Sequence, residues 1–502
     1  MKGKVWLVGA GPGDVGLMTL KGREAIEQAD VVVYDALVAD SVLGLIPDTA
    51  RRVFAGKRAG NHFLRQEETN RVLLEEALAG NRVVRLKGGD PFLFGRGGEE
   101  LELLVAHGVP FEIVPGITSA FAVPAYCGIP VTHRDYCSSV HVITGHRRGG
   151  ATLDIDFEAL ARTGGTLIFL MGVAALPEIC AGLTAAGMDP DTPAAVLEKG
   201  ATAAQRTILA TVATLAGVCE RADVGTPAII VVGRVCELAQ RFAWRDKLPL
   251  SGVKAVVTRP KDLISGMSAL LRARGAEVVE LPAIRTVPLA DDGRLRAAID
   301  RLAAGGYDWV VFTSPSGVRI FMQKLLEERD IRALAGAKLA AIGDGSRREL
   351  LKYGLRCDFV PSLYDGETLG RELAGACAPG ARLLIPRAAI GNRALIEGLA
   401  GGENLSVDDI PTYDTEYAVP PDAQKLMAGV DFAVFTSAST VKAFAAGMEG
   451  LDMAGVNAVC IGKQTQSAAE ALGMRTWVAR QATLESLADA AEEAAKELRI
   501  EN

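Results

Sequence analysis

Asp14 and Asp90 stand in or beside glycine turns early in the chain, where a carboxylate can meet a ligand or accept hydrogen bonds. Gly9-Ala10-Gly11-Pro12-Gly13-Asp14 follows the apolar run Val5–Val8. A dinucleotide turn of the form G-x-G-x-x-G needs Gly where Asp14 stands. An acid facing a pyrophosphate is unfavourable, so the turn suits a ligand without phosphate, or a plain chain reversal. This argues against a nicotinamide-dependent dehydrogenase. Val83-Val84-Arg85-Leu86-Lys87 ends in Gly88-Gly89-Asp90-Pro91. There the glycines allow close backbone approach, and the acid can accept from hydroxyls or an ammonium. Phe92–Glu100, Pro115-Gly116-Ile117-Thr118-Ser119-Ala120 and Gly128–Asp135 continue the series. In the second half, Thr313-Ser314 and Thr436-Ser437 close apolar runs where helices begin. Helix starts expose N–H groups and partial positive charge suited to an anion. The same residues serve equally well as plain N-caps.

These side chains need a scaffold of strands with loops at their ends. Val5–Val8, Val31–Tyr34, Arg82–Leu86, Val140–Thr144, Thr166–Leu170 and Ala228–Val232 read as buried strands, each followed by a longer helical pattern. This alternation predicts α/β architecture with mostly parallel sheets. A charged seam near residues 240–253 predicts a boundary at about 248, separating domains 1–247 and 248–502. Within the second domain, Asp308–Val318 repeats as Asp431–Val441, with Phe321 and Phe444 in matching positions. Ile342-Gly343 matches Ile461-Gly462, and Leu383–Arg387 echoes Ala255–Arg259. Such repetition predicts two similar lobes.

The whole chain has 502 residues, a net charge of −7 and 49% hydrophobic residues. That excludes an overall nucleic-acid footprint, while leaving an anionic small-molecule substrate possible through local patches. No apolar run is long enough to span a membrane, and the N-terminus lacks a signal-peptide core, so a cytoplasmic location is expected. The eight cysteines form no C-x-x-C pair, which fits a reducing compartment. The five histidines end at His146, so the second half works without histidine. His133 and His146 lack companion ligands, and no metal site is expected.

Gly11-Pro12-Gly13-Asp14, Leu17–Lys21, Val32-Val33-Tyr34-Asp35, Gly56-Lys57-Arg58, Lys87–Pro91 and Val114–Thr118 occur in one order. In this they closely resemble uroporphyrinogen-III C-methyltransferases of the tetrapyrrole methylase family, over about residues 3–243. Val15 stands where many members have Pro. The resemblance implies two α/β lobes, about 1–116 and 117–247, a homodimer formed through this domain, and an S-adenosyl-L-methionine cofactor in the cleft. S-adenosyl-L-homocysteine would be its product. Carried over by position, the cofactor would meet Pro12, Gly88, Gly89, Asp90, Leu93, Thr118, Ser119, Met171 and Gly200. Asp35 takes the position of the general base and Lys57 that of the proton donor, while Arg96 and Glu99 face the substrate. Asp35, at a strand end, also suits a helix cap. The implied substrate carries eight carboxylates, for which Arg51, Arg52, Lys57, Arg58, Arg134, Arg147 and Arg148 are candidate cations. A pair such as Arg51-Arg52 is more often a solvated face than a ligand clamp.

The second half is similar to uroporphyrinogen-III synthases over about residues 252–495. The matching pieces are Val257–Pro260, Phe312–Val318, Ile342-Gly343, Leu384–Arg387, Tyr413–Thr415 and Phe435–Ala438. Members diverge widely. The resemblance implies a two-lobed α/β domain, with 252–285 plus 416–502 in lobe one and 286–415 in lobe two. It implies closure of hydroxymethylbilane to uroporphyrinogen III with inversion of the D ring, without metal or organic cofactor. Tyr413 would help the hydroxyl leave, and Thr313, Ser314, Thr436, Ser437, Lys463 and Thr465 would bind substrate. The pair of resemblances implies a bifunctional enzyme that makes uroporphyrinogen III and methylates it at carbons 2 and 7 to precorrin-2. An alternative is an active methyltransferase whose second half only binds tetrapyrrole or regulates. A periplasmic-type two-lobed sensor is a further rival for that half.

Overall fold

The computed structural model describes residues 2–47, 49–56, 66–146, 153–258, 264–290, 293–390, 393–419 and 423–501. Among them, four five-stranded sheets carry the fold. The first holds β1 (Lys4–Gly9), β2 (Val31–Tyr34), β3 (Arg51–Phe54), β4 (Arg82–Lys87) and β5 (Phe111–Val114). Its order is β3-β2-β4-β1-β5, and every pairing is parallel. Its inner strands are covered on both faces, which is why Val31-Val32-Val33 is apolar without alternation. The loops leaving β1 and β4 lie side by side at the carboxyl ends, where open α/β sheets receive ligands.

The second sheet holds β6 (Val140–Thr144), β7 (Thr166–Leu170), β8 (Pro193–Glu198), β9 (Arg206–Thr211) and β10 (Ala228–Val232), in the order β6-β7-β10-β8-β9. Only β6 and β7 are parallel. β10 runs antiparallel to β7 and β8, and β8 runs antiparallel to β9. The expectation of mostly parallel sheets fails here for a simple reason. Connection 199–205 is far shorter than the dozen or more residues a crossover needs, so β8 and β9 must pair antiparallel. β6, at the sheet edge, is half-buried along its length rather than fully buried.

The third sheet holds β11 (Lys254–Val257), β12 (Glu277–Glu280), β18 (Phe432–Phe435), β19 (Asn457–Cys460) and β20 (Arg475–Val478), in the parallel order β12-β11-β18-β19-β20. The fourth holds β13 (Ile284–Pro288), β14 (Trp309–Phe312), β15 (Lys338–Ala341), β16 (Arg382–Ala388) and β17 (Ser406–Tyr417). Its order is β13-β17-β16-β14-β15, and only β13 is antiparallel to its neighbour. Residues 1–281 with 420–502 form one compact unit, and residues 282–419 form another. Near residue 248, Arg245–Lys247 makes a short 3-10 turn, and Leu250 and Val253 are buried in the core of the third sheet.

The internal repeat is one strand–cap–helix unit used twice. Phe312 ends β14 and Phe435 ends β18, both fully buried. Phe321 packs edge-on against Phe312 at 5.5 Å and 70°, and Phe444 against Phe435 at 5.3 Å and 79°. Ser314 (φ −161, ψ 156) caps helix Pro315–Glu328, and Ser437 (φ −163, ψ 156) caps helix Ala438–Gly447. Their hydroxyls accept the N–H of Gly317 at 2.9 Å and of Thr440 at 3.2 Å. Among the described residues, no helix is long and apolar enough to cross a membrane, and no His/Cys/Asp/Glu group could hold a metal ion. All eight cysteines are free.

If these phenylalanines anchor their cores, Phe444→Ala should cost about 3–5 kcal/mol in denaturant unfolding. A loss under about 1 kcal/mol would mean that the helix docks without it.

Candidate functional site

A cavity of about 630 Å³ lies at the carboxyl end of the first sheet, against the end of β7 and the 199–205 turn. Backbone packing shapes it. Gly11 and Gly89 exchange hydrogen bonds, Gly11 N–H to Gly89 O at 3.2 Å and Gly89 N–H to Gly11 O at 2.8 Å. A Cβ on Gly116 would lie 2.2 Å from Gly89 O, so the loops after β1, β4 and β5 touch through backbone alone. Asp14 takes no part in the lining. Its Oδ1 accepts the Gly16 N–H at 2.7 Å and its Oδ2 accepts the Tyr126 hydroxyl at 2.8 Å.

Of the residues expected to hold a cofactor, Pro12, Gly88, Leu93, Ser119, Met171 and Gly200 line this cavity. Met171 is held there in a left-handed conformation (φ 57) with its side chain 52% exposed. Gly89, Asp90 and Thr118 are not part of the lining. Asp90 Oδ1 accepts the N–H groups of Phe92 and Leu93 at 2.8 and 3.2 Å, and Oδ2 accepts the Gly116 N–H at 3.0 Å. Its carboxylate therefore clamps the loop after β4 to the loop after β5. Thr118 Oγ1 caps helix Ser119–Tyr126 through the Ala120 N–H at 3.3 Å.

Asp35 and Arg96 also line the cavity. Asp35 Oδ1 accepts the Leu37 N–H at 3.1 Å, which is a local cap, while Oδ2 faces Arg85 Nη2 at 3.4 Å. Arg96, itself left-handed (φ 58), makes a two-pronged exposed pair with Glu99 at 2.9 and 2.5 Å. Lys57 lies outside the described residues, as do Arg58, Arg147 and Arg148. The other expected cations stand elsewhere. Arg51, on edge strand β3, pairs with Glu76, and Arg52 donates to Ile46 O at 3.4 Å. Arg134 is exposed and outside the lining.

Among the described residues, the cations that line the cavity are Arg85 and Lys87, together with Arg96. Arg85 and Lys87 are buried on β4, and one Glu100 oxygen holds both: Arg85 Nε at 3.0 Å and Lys87 Nζ at 2.9 Å, with Gln66 Nε2 at 3.1 Å. Glu100 is fully buried, and its second oxygen has no partner among the described residues. Burial alone would raise the Glu100 carboxyl, but Arg85 and Lys87 together hold it below its ordinary value. Burial and the neighbouring Arg85 push Lys87 down, against Glu100. Reading the sequence missed this cluster, although two cations alternating with Leu86 in an apolar strand was a visible signal.

In the unit 282–419, Tyr413 on β17 is buried and shares a hydrogen bond with Ser314 Oγ at 2.6 Å. Burial pushes the Tyr413 hydroxyl up, and the Ser314 bond acts in the opposite direction. Thr313 is half-buried beside Ser314. In the other unit, Thr436 and Ser437 are half-buried at the end of β18. Lys463 is exposed at the start of helix Lys463–Glu470, and Thr465 is buried beneath it.

The model of Tetrapyrrole (Corrin/Porphyrin) Methylases matches residues 4–216, and that of Uroporphyrinogen-III synthase HemD matches residues 265–489. "Porphyrin biosynthesis protein HemD" of Ruminiclostridium josui is 43% identical over 493 residues, spanning 97% of each chain. The chain belongs to this family of fused tetrapyrrole methylase–synthase proteins. "Siroheme synthase" of Enterobacter sp. (strain 638) is 52% identical over 243 residues, covering 48% of this chain and 52% of that relative. A crystal structure of uroporphyrin-III C-methyl transferase from Thermus thermophilus, complexed with S-adenyl homocysteine, is 41% identical. It covers 47% of this chain and 99% of that one, with a TM-score of 0.41. The cavity thus lies in the methylase part of the fused chain, and the Tyr413–Ser314 pair in the synthase part.

Neutralising the buried carboxylate tests the charge cluster. Glu100→Gln leaves Arg85 and Lys87 with Asp35 as their remaining counter-charge, at an expected cost of about 3–5 kcal/mol in unfolding. Glu100 is held below its ordinary value, so its contribution is present above the unfolded pKa and is lost as pH falls through the folded one. The stability gap between wild type and Glu100→Gln should therefore close in acid. A gap independent of pH would contradict this arrangement.

Proposed function

We propose that the chain closes hydroxymethylbilane to uroporphyrinogen III, inverting the D ring, and then methylates that product at carbons 2 and 7 to give precorrin-2. The observation that carries the methylase reading is the single cavity that gathers Pro12, Asp35, Gly88, Ser119, Met171 and Gly200 from separate loops. The cavity fits an S-adenosyl group. It is large enough, the glycine-turn acid Asp14 is bonded away from it, and glycine turns and apolar side chains make up much of its wall beside Asp35, Arg85, Lys87 and Arg96. S-adenosyl-L-methionine bound there would supply the methyl group as a sulfonium. Pro12, Gly88 and Gly200 would hold the group against Leu93 and Met171. Gly89, Asp90 and Thr118 act one layer back, by fixing the loops.

Asp35 is the base of this reading. A pyrrole carbon that attacks a methyl donor gains positive charge, and a carboxylate nearby can take the proton then released. Arg85 restrains the Asp35 carboxylate from behind. Lys57 is proposed as the proton donor. Arg85, Lys87 and Arg96 bring positive charge to the cavity and suit a substrate with many carboxylates. In the second half, Tyr413 would help the hydroxyl leave, with Ser314 orienting its proton. Thr313, Thr436, Ser437 and Lys463 remain proposed substrate contacts, among which Lys463 is the exposed cation, while buried Thr465 supports its helix from below instead of meeting substrate. Association into a homodimer through the methylase domain is part of this proposal.

Calorimetry with S-adenosyl-L-homocysteine separates this reading from a dehydrogenase: binding of it is expected, and binding of NADH alone would overturn the reading. Asp35→Asn should lower methylation by about 10²–10⁴-fold while leaving S-adenosyl-L-homocysteine affinity within about threefold. A large loss of that affinity would count against the base role. For the synthase half, Tyr413→Phe should slow formation of uroporphyrinogen III from hydroxymethylbilane. Formation of only the type I isomer by the wild-type chain would instead favour a second half that merely binds tetrapyrrole or regulates.

A further inference from the structure

The turn 199–205 between β8 and β9 carries Gly200 at the cavity wall, and it is strained. Lys199 (φ 46) and Ala201 (φ 63) both occupy the left-handed region, where non-glycine residues persist only when their surroundings hold them. Gly200, between them, sits so close to Val123 that a Cβ would lie 2.2 Å from Val123 Cγ1. Some of the restraint is local: Ala201 N–H donates to Gln205 Oε1 at 2.9 Å, and Thr202 Oγ1 donates to Lys199 O at 2.6 Å.

Two further restraints come from beyond the methylase sheets. Arg245, buried in the seam, donates to Thr202 O at 3.3 Å. Glu277, on β12 of the third sheet, accepts the Ala203 N–H through Oε2 at 2.7 Å. Arg245 also lies over the Tyr126 ring at 5.2 Å, and the Tyr126 hydroxyl binds Asp14 of the glycine turn. A Cβ on Gly13 would lie 3.5 Å from Ala201 O, so the two turns face each other closely. Gly13, Asp14, Arg245, Arg272 and Glu277 leave a void of only about 10 Å³ between them, room for one water at most.

We propose that Glu277 is a positioning residue for methyl-donor binding: a carboxylate of the synthase half that fixes the Gly200 turn of the methylase cavity. This rests on the reading of that cavity as the S-adenosyl site. Without the Glu277 carboxylate the Ala203 amide is released, and only the Gln205, Thr202 and Arg245 bonds still hold Lys199 and Ala201 in the left-handed region. A ligand must then re-form the turn as it binds, and that ordering cost appears as weaker affinity. Coupling of this kind is reciprocal, so a ligand in the cavity must also quieten β12.

The test uses the full chain and S-adenosyl-L-homocysteine. Glu277→Ala should raise its Kd about tenfold and raise KM for the methyl donor with kcat kept. Glu277→Gln, whose amide oxygen still accepts the Ala203 N–H, should stay within about threefold. The isomer ratio from hydroxymethylbilane should not change in either variant, whereas a general loss of structure would alter it. In wild type, S-adenosyl-L-homocysteine should slow amide exchange at 203 and across 276–281. An unchanged Kd in Glu277→Ala, with wild type binding normally, overturns this proposal alone. Wild type that binds no S-adenosyl-L-homocysteine overturns the cavity reading and this proposal with it. If Glu277→Ala does not fold, exchange in wild type decides, and absence of slowing at 276–281 overturns the proposal.

Discussion

The methylase half depends on backbone touching backbone. Gly9, Gly89 and Gly116 meet at the ends of β1, β4 and β5. A Cβ on Gly9 would lie 2.5 Å from Gly116 Cα, and one on Gly116 would lie 2.2 Å from Gly89 O. Side chains at these positions would wedge the three loops apart. Their absence lets Gly11 and Gly89 bond directly and lets Asp90 bind across to Gly116. The cavity is the space that this contact leaves at its rim. Its residues come from separate elements, and their arrangement holds only while the glycine contact holds.

Charge is distributed on the same principle of fixing backbone first. Asp14, Asp90 and one oxygen of Asp35 spend hydrogen bonds on loop N–H groups. The second oxygen of Asp35 faces Arg85, which Glu100 anchors from the core. A buried pair of cations sharing one carboxylate contributes little net stability compared with apolar packing, yet removing a single partner is costly. The cluster is better understood as fixing where positive charge stands beside the cavity. In the synthase part, Ser314 combines two tasks in one hydroxyl: it caps its helix and meets Tyr413.

Local patterns carried most of the fold. β-branched runs marked β2, β7 and β10, and the Thr-Ser repeat marked two caps that agree within a few degrees. The glycine turns could be read because a close approach demands glycine whatever surrounds it. What depended on distant partners could not be read. Antiparallel pairing of β8 with β9 follows from a short connection, not from periodicity. Arg51 and Arg52 are candidate cations as well as a solvated face in sequence, and on edge strand β3 they meet Glu76 and Ile46. Arg85 and Lys87 needed Glu100, from a helix that begins beyond the intervening turn, before their burial made sense. Thr465 follows Lys463 by two residues, yet the helix turns one inward and the other to solvent.

In the proposed function, one chain makes a tetrapyrrole ring and then methylates it. The most direct measurement is a single incubation of the full-length protein with hydroxymethylbilane and labelled S-adenosyl-L-methionine, followed by mass analysis of the products. A type III ring carrying two labelled methyl groups is expected. Labelled product that forms only when uroporphyrinogen III is supplied ready-made would contradict the claim.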